Sequence, residues 1–119
     1  MKTIKNIFLG LILFLTAIIL FLPLTIINFF IVLFKGKAEG YFMSSAINLD
    51  RYGNYEFRTL FNLTLKKKEG YEFGDFRETI SSVLGKNQRD NTLSKTGKVL
   101  VFILDTLDKE HCKKSIKEL

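Results

Sequence analysis

Apolar positions along the chain fall into one long unbroken run and several short periodic ones. From Ile7 to Phe34 no residue is charged. A straight helix over these 28 residues is about 42 Å long against a hydrocarbon core of about 30 Å, so the run predicts one transmembrane span with length to spare. Two antiparallel spans need about 40 residues and a turn, which leaves at most a re-entrant excursion around Pro23. Pro23 has no amide hydrogen, so the carbonyl of Ile19 loses its partner and a kink is expected there. Beyond the run, Phe57, Leu60, Phe61, Thr64 and Leu65 recur at helical spacing, predicting a helix that starts after a break at Gly53-Asn54. A shorter helix is expected over about Phe42 to Tyr52.

Next comes Asp75-x-x-Glu78 ahead of Ile80, Val83, Leu84 and Gly85. This reads as a capping box, a helix of about ten residues and a left-handed stop at the glycine. Lys86 to Thr92 is polar throughout and reads as a loop. Ser94 caps a last helix running to about Glu110, apolar on most sides through Val99, Leu100, Phe102, Ile103, Leu104 and Leu107. Val99 to Leu104 alone also suits a buried strand, but Leu107 one turn on and the lack of a strong pairing strand favour helix. The predicted fold class is all-α. A basic flank over 1–6 precedes a transmembrane helix over 7–34, a juxtamembrane linker over 35–41, a small domain of three or four short helices over 42–116 and a tail over 117–119.

Charge separates the two regions. All but two of the 18 Lys/Arg and all 12 Asp/Glu lie from Lys35 onward, leaving 16 cations against 12 anions, a mildly basic +4 that requires neither nucleic acid nor anionic lipid. The Lys66-Lys67-Lys68 cluster reads as a solvated helix end. With 119 residues a multidomain enzyme is excluded, and a polar domain of this size is marginal alone, so packing on the membrane, a second copy or another protein would support it. The apolar run exceeds a signal-peptide core and no small-x-small cleavage site follows, so a retained anchor is expected. Lys35, Lys37 and the more distant Arg51, against Lys2 and Lys5, lean toward a cytoplasmic carboxyl-terminal part. Thr16, Thr25 and Asn28 are the polar side chains available to bond other copies or line a pore.

Candidate chemistry gathers near the end. His111 and Cys112 are the single histidine and the single cysteine, so neither an internal disulfide nor a four-ligand zinc site is available. His111 and Cys112 read functionally as a thiolate nucleophile or as one half of a metal site, with Glu78, Ser81 and Ser82 of the capped helix as neighbours. Adjacent helix residues point about 100° apart, however, so His111 is poorly placed as a base for Cys112. The bland alternatives are a polar helix end with a half-buried thiol, a capping acid at Glu78, and small residues at Ser81 and Ser82 that admit a second helix. There is no glycine-rich phosphate loop and no nucleophile elbow, and no metal, cofactor or small-molecule substrate is indicated. A helix-turn-helix fails because Lys86 to Asn91 supplies no apolar residue after Gly85, so nucleic acid is not an expected partner.

Glu78-Thr79-Ile80-Ser81-Ser82, a polar linker, an apolar helix and then Asp108-x-x-His111-Cys112-x-x-Ser115 resemble a set of small proteins encoded by tailed bacteriophages and prophages. The resemblance spans roughly Asn62 to Ile116. It implies a viral source and a bacterial host, so that the anchor read from hydropathy is expected in the host inner membrane, and it marks Glu78, Ser81, Ser82, Asp108, His111 and Cys112 as positions to examine for a shared site. It brings no activity with it, and the lipid-spanning start lies outside it. Three functions compete: a noncatalytic membrane-anchored interaction module, a holin-like pore-forming protein, and a small enzyme using Cys112 with His111 or Glu78.

Overall fold

A computed structural model describes residues 2–119. It is all-helical, with no strand among the described residues: α1 (Lys2–Phe34), α2 (Tyr41–Glu56), α3 (Arg58–Thr64), α4 (Ile80–Arg89), α5 (Lys95–Leu107) and α6 (His111–Ser115). The chain divides into two compact units that meet in sequence between Phe42 and Met43.

In the first unit α1 runs through Pro23 and takes in the basic flank from Lys2 onward. None of its residues is buried within the protein, and the helix is long and apolar enough to cross a membrane. Thr16 Oγ1 donates to the Ile12 carbonyl at 2.8 Å and Thr25 Oγ1 to the Phe21 carbonyl at 2.7 Å. Both hydroxyl protons are thus spent within the helix. Gly36, at φ 68°, ends α1 in a Schellman turn, with Lys37 N–H on the Val32 carbonyl at 3.0 Å and Gly36 N–H on the Leu33 carbonyl at 3.1 Å. Asn28 donates to the Tyr41 hydroxyl at 3.4 Å, and Phe29 stacks with Phe42 at 5.4 Å between ring centres.

In the second unit α4 is the central strut: every residue from Ser81 to Asn87 is buried. Leu65, Phe73, Val83, Leu84, Leu93, Val101 and Cys112 form the core, flanked by Phe61, Ile80, Leu100 and Leu104. Three asparagines organise the irregular chain between α3 and α4. Asn54 donates to the carbonyls of Asp75 and Glu78 at 2.9 and 3.0 Å. Asn62 accepts from Phe73 N–H at 2.7 Å and donates to its carbonyl at 3.1 Å. Asn87 does the same for Tyr71, with both bonds at 2.9 Å. Side-chain amides replace the ladder that a strand would have supplied.

Ser94 caps α5 as expected, its Oγ accepting from Gly97 N–H at 3.0 Å, and Val99 to Leu104 are helical. Several other expectations need correcting. Gly53 and Asn54 do not break a helix but lie buried inside α2, because Asn54 has tertiary partners stronger than its turn preference. Of the face predicted over Phe57 to Leu65, Leu65 is buried and Phe61 packs on the core, whereas Phe57 and Leu60 remain about half exposed. Lys66 is buried, with its ammonium donating to the carbonyls of Lys67 and Lys68; only those two lysines are exposed. The cap of α4 is Thr79, accepting from Ser82 N–H, and not Asp75. Asp75 instead forms a turn with Arg77, whose guanidinium bonds hold its carboxyl down at about 2. Gly85 does not stop this helix, and Lys86 to Arg89, expected in a loop, continue it. Finally, α5 ends at Leu107, and Glu110 at φ 56° turns the chain into the separate helix α6.

Candidate functional site

The two sequence blocks meet across α4 and α6. Crossing is close because Gly85 faces α6: a Cβ there would overlap the Cys112 carbonyl and stand 2.7 Å from Ile116 Cγ1. The approach brings polar side chains of both blocks together in two separate networks.

The first network surrounds Glu78. Its Oε1 takes the Lys86 ammonium at 3.0 Å and the Ser82 hydroxyl at 2.7 Å, while Oε2 takes the Tyr71 hydroxyl at 2.6 Å. Side-chain exposure is 3% for Lys86 and 0% for Glu78, so the pair is a desolvated ion pair whose lone pairs and protons are met by further bonds. Lys86 Nζ also lies 4.3 Å from the centre of the Tyr71 ring. Ser82 Oγ in turn accepts from Lys117 N–H at 2.9 Å, tying the chain beyond α6 to α4. Ser82 and Lys86 stand four residues apart on one side of α4, and Glu78, just ahead of the Thr79 cap, continues the row at the same spacing.

The second network runs Asp50, Ser81, His111, Asp108, Lys114. Ser81 Oγ donates to Asp50 Oδ2 at 2.9 Å and stands 3.0 Å from His111 Nε2. His111 Nδ1 is 3.0 Å from Asp108 Oδ2, and Asp108 Oδ1 takes Lys114 Nζ at 2.8 Å. The Lys114 bond, with that of His111, holds the Asp108 carboxyl below its usual range. Hydroxyl, imidazole and carboxylate thus follow the order of an acyl-transfer triad. Other parts of such a site are committed elsewhere. Asp50 competes with His111 for the Ser81 hydroxyl proton, and Ser81 is only 2% exposed. Nearby amides that would hold an oxyanion are also taken, Ile80 N–H by Asp50 Oδ1 at 2.8 Å and Ser82 N–H by Thr79 Oγ1 at 3.0 Å. As arranged, the network fastens α2, α4 and α6 to one another.

Cys112 belongs to neither network. Its side chain is buried in the core and diverges from the His111 ring, which turns to Ser81 and Asp108. Burial, with the nearby Asp105 carboxylate adding to it, pushes the thiol up to about 12. A thiol held protonated at neutral pH is not a nucleophile. Alkylation by iodoacetamide at pH 7.5 is therefore expected to be slow in the folded chain and rapid once denaturant unfolds it. Equal rates in the two states would contradict this placement.

Of the residues singled out from sequence, Ser81, His111 and Asp108 come together, Glu78 and Ser82 form the other network, and Cys112 is core. Sequence reasoning missed Asp50, Tyr71, Lys86 and the three asparagines. Only Lys86 had a readable signal, its place in the four-residue row with Glu78 and Ser82. No protein-family model, curated protein or solved structure matches this chain.

Proposed function

We propose that the chain is a phage-encoded, single-pass membrane protein that anchors a small helical module at the host inner membrane and acts by binding. The observation that carries this reading is α1, which spans 33 residues, is uncharged from Ile7 to Phe34 and has no residue buried within the protein. So much exposed hydrocarbon is stable in lipid and not in water. The two block motifs support a phage source, and the basic residues after α1 support a cytoplasmic second unit. Binding is favoured over catalysis because the polar residues of both blocks are already paired with one another. A pore would need polar groups free to meet water or another copy within the span, whereas Thr16 and Thr25 donate to their own helix.

Fractionation of expressing bacteria provides the test. The full chain should stay with the membrane through high-salt and alkaline-carbonate washes and leave only with detergent, while the membrane potential stays intact. Recovery in the wash would overturn the anchor, and an abrupt loss of potential on induction would favour the pore.

A further inference from the structure

Apolar surface is left over in the second unit on α2 and α3, at Met43, Leu49, Leu60 and Leu63, and on α5, where it forms one unbroken row. The inner side of α5, Val101 with Leu100 and Leu104, enters the core. On its outer side Val99 is 59% exposed, Phe102 72%, Ile103 50% and Leu107 81%. Val99, Ile103 and Leu107 recur every four residues, with Phe102 beside them, so the four form a continuous stripe. A helix apolar all round is normally covered on both sides. We propose that this outer face of α5 lies on an anionic lipid surface, seated at the boundary between headgroups and acyl chains. The proposal rests on α1 spanning the bilayer.

Three observations choose lipid over another occupant. The stripe amounts to on the order of 400 Å² of apolar surface, the size of a functional patch on a monomer yet well short of the about 800 Å² that each partner brings to a stable protein dimer. A bilayer sets no such minimum when the module is tethered to it. Six residues separate α1 from α2, a reach of about 20 Å, so the second unit never leaves the neighbourhood of the membrane. Charge is arranged to suit the surface as well. Exposed Lys95 and Lys98 precede the stripe and exposed Lys109 follows it, where their stems can lie along lipid while the ammonium groups meet anionic headgroups. Among the acids nearby, Asp105 is turned inward to the amide of Cys112 and Asp108 is bonded to Lys114 and His111. Glu110, exposed beyond the helix end, is outside the stripe.

The test uses the full chain in vesicles of phosphatidylcholine and phosphatidylglycerol. An environment-sensitive nitrobenzoxadiazole probe is attached at Thr106→Cys, which lies on the outer face without removing any residue of the stripe, or at Lys113→Cys on α6 as a reference. Cys112, buried and protonated, does not compete for label. With nitroxide-labelled lipid present, the Thr106→Cys probe should lose roughly half or more of its emission, whereas the Lys113→Cys probe should lose little. Adding Phe102→Asp and Leu107→Asp, both at exposed positions, should abolish the loss at Thr106→Cys while helix content by circular dichroism is retained. Equal, weak quenching at the two sites in vesicle-bound protein would overturn the proposal. Shielding of Thr106→Cys from aqueous iodide without lipid quenching, together with crosslinking between copies, would overturn it in favour of a protein interface. Loss of the chain from vesicles on a carbonate wash reads the anchor separately, so failure there is distinguishable from failure of the α5 surface.

Discussion

Lys86→Met is expected to cost the second unit about 3–5 kcal/mol, because it strands the Glu78 carboxylate in a desolvated site without its cation. Glu78 keeps the Tyr71 and Ser82 hydroxyls in that variant, and two neutral donors do not replace an ammonium 3.0 Å away. Urea unfolding of the full chain in mild detergent, followed by loss of far-ultraviolet ellipticity, measures the effect. The double variant Glu78→Gln, Lys86→Met should recover much of the loss, since no charge is then left buried. A Lys86→Met midpoint equal to that of the parent would mean that the pair is open to water.

The same network has a signature in alkali. Burial alone would lower the Lys86 value, but the bonds to Glu78 and Tyr71 and the charge of Glu78 outweigh it and raise it above 10.5. Tyr71 is raised above 10.0, chiefly by burial and then by its bond to Glu78, and Cys112 is raised from 9.0 to about 12. In each case the folded chain holds a proton that the unfolded chain releases more readily. Stability from these groups is therefore fully present below about pH 9 and is lost as pH climbs toward about 12. Lys86→Met should flatten the Lys86 part of that decline.

Gly85→Ala is expected to destabilise by about 3 kcal/mol, opposite in sign to the usual gain of about 1 kcal/mol for Gly→Ala within a helix. The added Cβ would overlap the Cys112 carbonyl oxygen and stand 2.8 Å from its carbonyl carbon. Main chain cannot rotate aside, so α6 must move away from α4. Hydrogen exchange should then quicken at the α6 amides and at Lys117, whose N–H bonds Ser82. A raised unfolding midpoint would show that the helices do not cross this closely.

Gly85 also shows why part of the fold was legible and part was not. A glycine after Ile80, Val83 and Leu84 looks like a helix stop, because local reasoning assigns its missing side chain to backbone freedom. Here the missing side chain makes room for α6, a partner about 30 residues away in sequence. Asp75 likewise has the right spacing to Glu78 for a capping box. Thr79 takes the cap because Glu78 is drawn to Lys86, Tyr71 and Ser82. Ser94, whose capping partner Gly97 is three residues on, was readable for the opposite reason: the capping bond is local, although its hydroxyl also donates to the distant Thr64 carbonyl.

The candidate site follows the same division. Both blocks stand out in one dimension, and they marked Ser81 and His111 as positions of a shared site. Asp50, which bonds the Ser81 hydroxyl from 31 residues away, had no local mark.

What the sequence determined by itself was whatever depends on near neighbours or on a solvent average: the long apolar span, the helical class and the Ser94 cap. Hydropathy and helical periodicity are sums over adjacent residues, so they survive without knowledge of the fold. Tertiary structure alone decided that Glu78 and Lys86 share a dry pocket, that Cys112 is core while His111 meets Ser81, and that α5 keeps an uncovered apolar side. Each of these depends on which distant groups are brought within bonding distance, and burial then sets whether a charge, a thiol or a missing methyl group stabilises the protein or weakens it.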